Sequence, residues 1–257
     1  MGNWSVVART ERRLLILGGT GEALALAEQA SWLPNLRVTT SLAGRTRKPV
    51  MPAGEARVGG FGGADGLAEY LRDAAIDLVV DATHPFAAEI SRNAVAARAA
   101  TGVPLLTLTR PAWIPRDGDR WTVVADADAA ASVLAPASRV FLAVGRGSVS
   151  SFAQADAWFL VRVIDPPDAA PPLSDYTLIE GRGPFRLDDE RALLAKHRID
   201  IVVAKNSGGE GTYAKIAAAR ALGLPAVMIR RPPPPPGESV ETVDEVINWI
   251  GERLCEV

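Results

Sequence analysis

Cysteine and histidine are nearly absent from this 257-residue chain, which has one cysteine, Cys255, and two histidines, His84 and His197. A lone cysteine cannot close an internal disulfide, and these residues are too few for a cysteine/histidine zinc site, so no bound metal is expected. Excess positive charge is missing too. Lysine and arginine total 28 against 30 acidic residues, a formal charge of -2, which excludes a general polyanion-binding surface and hence a nucleic-acid partner. Nowhere do about eighteen apolar residues follow one another, so no helix is expected to span a membrane. The nearest imitation of a secretory signal, Arg12-Arg13 before the apolar residues 14–17, ends at Gly18 and is too short for a signal core. Together these absences suggest a cytoplasmic protein in a reducing compartment.

Hydrophobic residues make up 48% and charged residues 23%, values that place the chain among folded globular proteins. Its length suits one large α/β domain or two of ordinary size. Apolar runs at residues 14–17, 36–40, 76–80, 105–108, 140–144, 158–163, 201–204 and 226–229 read as strands. Most lack interruption by polar residues, as in parallel strands covered on both faces. Between them, residues 22–31, 66–74, 89–100, 126–134, 188–196, 213–222 and 243–254 read as helices, mostly alanine-rich. Strand and helix in alternation imply doubly wound, mostly parallel sheets.

The chain also repeats itself weakly. Ile76-Asp77-Leu78-Val79-Val80 is echoed 123 residues later by Ile199-Asp200-Ile201-Val202-Val203. Gly102-Val103-Pro104 with its strand and Arg110-Pro111 is echoed 121 residues later by Gly223-Leu224-Pro225 and Arg231-Pro232. Two matches at nearly one offset favour two similar lobes over one sheet. The proline- and glycine-broken segment 111–120 suggests a division into residues 1–113 and 114–257. Five consecutive prolines in segment 232–237 are read as a stiff surface strap before the last helix, in preference to an SH3 ligand.

Leu14-Leu15-Ile16-Leu17-Gly18-Gly19-Thr20-Gly21-Glu22-Ala23-Leu24 is a strand, a glycine turn and a helix start at the head of the first β-α-β unit. Glycines admit a pyrophosphate close to the backbone, and the helix aims unpaired N–H groups and a positive dipole at it. The spacing departs from G-x-G-x-x-G, and a tight turn without a ligand is the alternative. A carboxylate about twenty residues further on would accept the ribose 2′-OH of NAD. Here the second strand ends instead in Ser41-Leu42-Ala43-Gly44-Arg45-Thr46-Arg47-Lys48. Ser41 with Arg45 or Arg47 would hold a 2′-phosphate, each charge-assisted bond being worth roughly 1.5–3 kcal/mol. The expected cofactor is therefore NADPH, against a basic loop that is merely solvated.

Several segments together resemble the precorrin-6A reductase family of cobalamin biosynthesis. They are Ile16-Leu17-Gly18-Gly19-Thr20-Gly21-Glu22-Ala23, Ser41-Leu42-Ala43-Gly44-Arg45, Arg57-Val58-Gly59-Gly60-Phe61-Gly62-Gly63 and Asp81-Ala82-Thr83-His84-Pro85-Phe86-Ala87. Arg110-Pro111-Ala112-Trp113 and Lys205-Asn206-Ser207-Gly208-Gly209-Glu210-Gly211-Thr212-Tyr213-Ala214-Lys215 complete the set. The resemblance implies two Rossmann-like lobes with nucleotide and macrocycle in a cleft between them. It also implies reduction of one ring double bond of precorrin-6A to give precorrin-6B.

On this reading Gly18, Gly19, Thr20, Gly21, Glu22, Ser41, Arg45, Thr83, His84, Pro85 and Phe86 contact the cofactor. A tetrapyrrole-derived ring bearing many carboxylates calls for rim cations and apolar surface. Arg110, Arg146, Lys205, Asn206, Ser207, Gly208, Gly209, Thr212 and Lys215 are the substrate-side candidates, with Arg162 a further cation. Hydride chemistry belongs to the nicotinamide. His84, at a strand end, is a candidate proton donor, with turn-capping as its alternative; His197 reads as a solvated helix end. A short-chain dehydrogenase would need Tyr-x-x-x-Lys, and neither Tyr70, Tyr176 nor Tyr213 has lysine four residues on. The remaining alternatives are a non-catalytic NADPH-sensing protein or another reductase of a polycarboxylated substrate.

Overall fold

The computed structural model describes residues 11–44, 47 and 49–255. They form two compact units, one holding the chain up to Arg110 and again from Pro233, the other Pro111–Pro232.

The first unit begins β1 (Arg12–Leu17), α1 (Gly21–Ala30), β2 (Leu36–Leu42), β3 (Glu55–Val58) and α2 (Ala64–Asp73). It continues through β4 (Leu78–Asp81), α3 (Ala88–Thr101) and β5 (Leu105–Leu108). The second holds β6 (Trp121–Val124), α4 (Ala127–Ser132), β7 (Ser138–Ala143), a short 3-10 helix (Arg146–Phe152), β8 (Ala157–Val163) and β9 (Tyr176–Glu180). After these come α5 (Leu187–Lys196), β10 (Ile201–Lys205), α6 (Ala214–Ala221) and β11 (Ala226–Ile229). The chain then returns to the first unit with β12 (Glu238–Val240) and α7 (Val243–Cys255).

Side-chain alternation explains the layers. Along β1, Leu14 and Ile16 point to one face and pack with Leu26 of α1 and Val246, Trp249 and Ile250 of α7. Leu15 and Leu17 point to the other and pack with Leu67, Ala68 and Leu71 of α2 and Ala94 and Ala97 of α3. Both faces are covered, which is why this strand reads as an unbroken apolar run. In the second unit Phe141, Leu160, Val202 and Met228 pack on Leu194 of α5 and Ile216, Ala218 and Ala219 of α6.

Among the described residues each sheet has six strands, and every described pairing is parallel. The orders are β3-β2-β1-β4-β5-β12 and β9-β8-β7-β10-β11-β6. Both match the Rossmann order 3-2-1-4-5-6 except in the sixth strand. After β5 the chain does not add its next strand to the first sheet. It leaves at Arg110–Pro111, and β6 becomes the edge of the second sheet beside β11. The vacant edge beside β5 is filled by β12, with Glu238 opposite Leu106 and Val240 opposite Leu108. The two halves thus exchange their sixth strands.

This corrects the expected division at residues 113 and 114. The boundary falls after Arg110, and the last helix belongs to the first unit because Val246 and Ile250 are fully buried against β1 and α1. The five-proline segment is the connection that carries the chain back. Proline lacks the N–H a sheet ladder needs, so the stretch stays out of both sheets until Glu238.

Candidate functional site

Each glycine of the first turn has a different job. Gly18 donates its N–H to Ser41 O at 2.9 Å, and a Cβ there would lie 2.7 Å from Thr40 Cγ2. Glycine at 18 therefore lets β1 and β2 end side by side. Gly19 adopts φ 109°, a conformation that side chains rarely tolerate, and the space around it is open. At Gly21 a Cβ would meet nothing within 4 Å.

Thr20 caps α1. Its hydroxyl oxygen accepts the Ala23 N–H at 3.1 Å and its hydrogen goes to Ala82 O at 2.8 Å, tying the turn to the end of β4. Leu24 N–H closes on Thr20 O. The first helical N–H groups, those of Gly21 and Glu22, have no acceptor within the helix, and an anion at such a helix start gains both hydrogen bonds and the helix dipole. The turn fits a diphosphate. Thr20→Val should lower the stability of the first unit by about 1 kcal/mol through loss of the cap, checked by urea unfolding.

The end of β4 adds a second wall. Asp81, 2% exposed, accepts Thr83 N–H at 3.1 Å and Thr83 Oγ1–H at 2.6 Å. His84 Nδ1 accepts Phe86 N–H at 3.2 Å, and His84 O accepts Ala87 N–H at 2.7 Å. With Nδ1 an acceptor, the neutral ring carries its proton on Nε2. The His84 and Phe86 rings lie 5.8 Å apart. Glu22 of α1 is ion-paired with Arg110, and both face a small hollow shared with Thr20, Ala82, Thr83, Pro85 and Leu108. Arg110, expected on the substrate side, thus stands beside the glycine turn.

Ser41 closes β2, is 6% exposed, and accepts a hydrogen bond from Arg57 Nη1 at 2.9 Å. No reading of the sequence had given Arg57 a binding role; its position in a strand too polar to recognise concealed it. Arg45, the cation expected here, lies outside the described residues.

In the second unit the Lys205–Gly209 stretch is a packed corner. Asn206 donates Nδ2 to Trp113 O and accepts Trp113 N–H, both at 2.9 Å, so its amide pairs like a piece of strand. Trp113 Nε1 donates to Gly209 O at 2.8 Å, and Arg231 donates to Asn206 O at 2.8 Å and to Pro111 O at 3.0 Å. Gly208 has φ 65°, and a Cβ there would lie 2.1 Å from Pro111 O. Its glycine serves this close approach. Ser207 is buried, and Lys215, 5% exposed, donates Nζ to Thr212 O at 2.6 Å and lies 4.9 Å from the Trp113 ring centre.

Arg162 is engaged elsewhere. Its guanidinium forms a fork on Glu190, at 2.9 and 2.7 Å, between the rings of Phe141 and Phe185. It is therefore a structural cation. His197, read as a solvated helix end, stacks on Trp158 at 6.0 Å. Its pKa is lowered by partial burial, then by the charges of Lys196 and Arg139.

The two halves can be superposed by register. Leu17 pairs with Asp81 as Ala143 pairs with Ala204. Gly19 then corresponds to Gly145, and both have positive φ, 109° and 76°. Thr20 corresponds to Arg146, and Ala82 to Lys205. Where the first unit has a capping hydroxyl and a small neutral residue, the second has two cations.

A family model described as precorrin-6x reductase CbiJ/CobK matches residues 13–251. The chain belongs to this family. Its relatives include a precorrin-6A reductase of Rhodococcus erythropolis, 56% identical over 93% of this chain and 97% of the relative. Another, from Sinorhizobium sp, is 47% identical over 96% of each. A solved structure, CobK precorrin-6A reductase, superposes with TM-score 0.89 at 45% identity, covering 94% of this chain and 96% of that one. The family's two-lobed, Rossmann-like α/β architecture is therefore the one expected from the resemblance. Among the described residues no helix is long and apolar enough to cross a membrane, and no group of three or more His, Cys, Asp or Glu is arranged to hold a metal ion.

Proposed function

We propose that this chain catalyses the NADPH-dependent reduction of one double bond of precorrin-6A, giving precorrin-6B. The reading rests on the turn at Gly19–Gly21, which opens α1 and is joined to the end of β2 by the Gly18 N–H to Ser41 O bond, and on Ser41, which among the described residues is bonded to an arginine and not to a carboxylate. Relatives 56% and 47% identical that are named precorrin-6A reductases support the substrate.

When bound, NADPH supplies the hydride. The residues of the first unit hold it. The N–H groups of Gly21 and Glu22 receive the diphosphate, and Gly19 keeps the backbone clear of it. Arg110 offsets the charge of Glu22, which would otherwise repel a diphosphate at the same helix end. Thr83, His84, Pro85 and Phe86 form the wall beside the turn, held rigid by Asp81. His84 Nδ1 is committed to this wall through Phe86, which leaves any proton delivery to Nε2.

Arg146 and Lys205 are the cations that would receive carboxylates of the macrocycle. They occupy the positions that in the first unit belong to the nucleotide hollow, so the duplicated turn is suited to an anionic group other than a dinucleotide. Lys215 and Trp113, both buried, pack on one another within this unit and support the region from beneath. Asn206, Gly208 and Gly209 position this region by holding residues 111–113.

Anaerobic incubation with precorrin-6A and NADPH tests the proposal. Nicotinamide absorbance should fall in step with a product two hydrogens heavier than the substrate. Tight NADPH binding without either change would point to a sensor, and turnover with NADH at equal efficiency would remove the cofactor assignment.

A further inference from the structure

We infer that Arg57 is the residue that discriminates NADPH from NADH, by presenting a preorganised guanidinium and the Ser41 hydroxyl to the 2′-phosphate. The inference rests on the nucleotide reading above and assigns its specificity to a strand that had no expected role.

Register places Arg57 there. Ser41 is the Cα partner of Arg57 across the β2–β3 pair, and Ser41 O accepts the Gly18 N–H of the glycine turn. The ends of β1, β2 and β3 thus lie in sequence beside one another, diphosphate turn first and arginine last. In dinucleotide-binding folds the end of the second strand is where the ribose 2′ position is read. A serine stands there, with an arginine behind it.

The guanidinium is held in one orientation. Its Nη1 donates to Ser41 Oγ at 2.9 Å and Gly59 O at 3.0 Å, and its Nη2 donates to Gly60 O at 3.1 Å. Its carbon lies 3.9 Å from the Phe61 ring centre and 5.1 Å from that of Tyr70. These rings and carbonyls fix the planar group before any ligand arrives, so little rotamer entropy is lost on binding. Because Ser41 Oγ accepts from Arg57, its own hydrogen remains to donate to a phosphate oxygen. An arginine required only to close the Gly59-Gly60 turn would not need the serine.

The nearest carboxylate on the strand is kept out of the way. Glu55 receives Thr39 Oγ1–H at 3.3 Å and Arg37 at 3.6 Å, toward the opposite end of β3. Among the described residues a 2′-hydroxyl therefore meets no carboxylate bonded to Ser41, whereas a 2′-phosphate meets a cation and a hydroxyl donor.

The test is direct binding by calorimetry of NADP+, NAD+, 2′,5′-ADP and 5′-AMP to the full chain. Wild type should prefer NADP+ over NAD+ and 2′,5′-ADP over 5′-AMP. Arg57→Met keeps the stem over Phe61 and Tyr70 and removes the charge. It should weaken NADP+ and 2′,5′-ADP by about ten- to hundredfold and leave NAD+ and 5′-AMP within about threefold. Arg57→Lys, which keeps stem and charge but not the planar fork, should lose at least about threefold of the NADP+ preference, and it serves if the methionine variant does not fold. Equal losses for both nucleotides, or none for either, would overturn the assignment of Arg57 alone. Wild-type protein that binds neither NADP+ nor NAD+ would overturn the cofactor reading together with it.

Discussion

Gly21→Val should raise the dissociation constant for NADP+ by at least about a hundredfold, roughly 2.7 kcal/mol, while the thermal stability of the nucleotide-free protein changes little. The separation of the two effects is the informative part. Gly21 is the first residue of α1, has no left-handed backbone, and would place a Cβ into open space. A Cβ there meets no protein atom within 4 Å, and replacing glycine in a helix removes an entropic disadvantage of about 0.5–1 kcal/mol relative to alanine. A branched side chain would instead stand where the diphosphate must approach the Gly21 and Glu22 N–H groups. Gly18→Ala provides the contrast. Its methyl would lie 2.7 Å from Thr40 Cγ2, so this variant should lose stability with or without nucleotide. Calorimetric titration with NADP+, paired with thermal unfolding of the free proteins, reads both. If Gly21→Val binds NADP+ normally, the diphosphate lies elsewhere and the proposed cofactor site fails.

Glu190→Ala should destabilise the second unit by about 3–5 kcal/mol, as expected when one partner of a buried ion pair is removed. The side chains of Arg162 and Glu190 are 10% and 3% exposed, and Phe141 and Phe185 flank the guanidinium. Without Glu190 the positive charge stays in that apolar slot with two hydrogen bonds lost. Removing both charges is a different perturbation. Arg162→Met with Glu190→Leu fills similar volume without leaving an unpaired ion, and it should recover most of the lost stability. Urea unfolding of wild type, single and double variants closes the cycle. A single variant as stable as wild type would mean that Arg162 finds another partner, and it would return this arginine to the set of substrate cations.

The eight apolar runs legible in the sequence are the eight inner strands. The four strands it did not reveal, β3, β6, β9 and β12, are the four sheet edges. An edge strand is paired on one side only and less covered, so Glu55–Val58 and Glu238–Val240 are largely exposed and carry charged residues. No apolar run marks them. The same polarity left Arg57, quoted only within the family resemblance, without a strand or a role. Among the cations, spacing placed Arg110, Arg146, Arg162 and Lys205 correctly at or near strand ends. It could not reveal that Glu190 on α5 uses both oxygens on Arg162, or that Glu22 pairs with Arg110. Asn206 and Gly208 were expected on the substrate side, and their bonding to residues 111–113 was not legible because a flexible glycine loop and a packed one have the same local sequence.

By itself the sequence determined the alternation of strand and helix, the duplicated halves, the glycine turn after β1 and the family resemblance. All are local patterns or their repetition, written in side-chain type and spacing. Only the tertiary structure decided that β6 and β12 trade sheets, that α7 closes the first core, and that Arg57 stands opposite Ser41. Each of these depends on register between segments far apart in the chain. The pairing partner of a short polar strand is chosen by the vacant edge it meets, and nothing in its own residues names that edge.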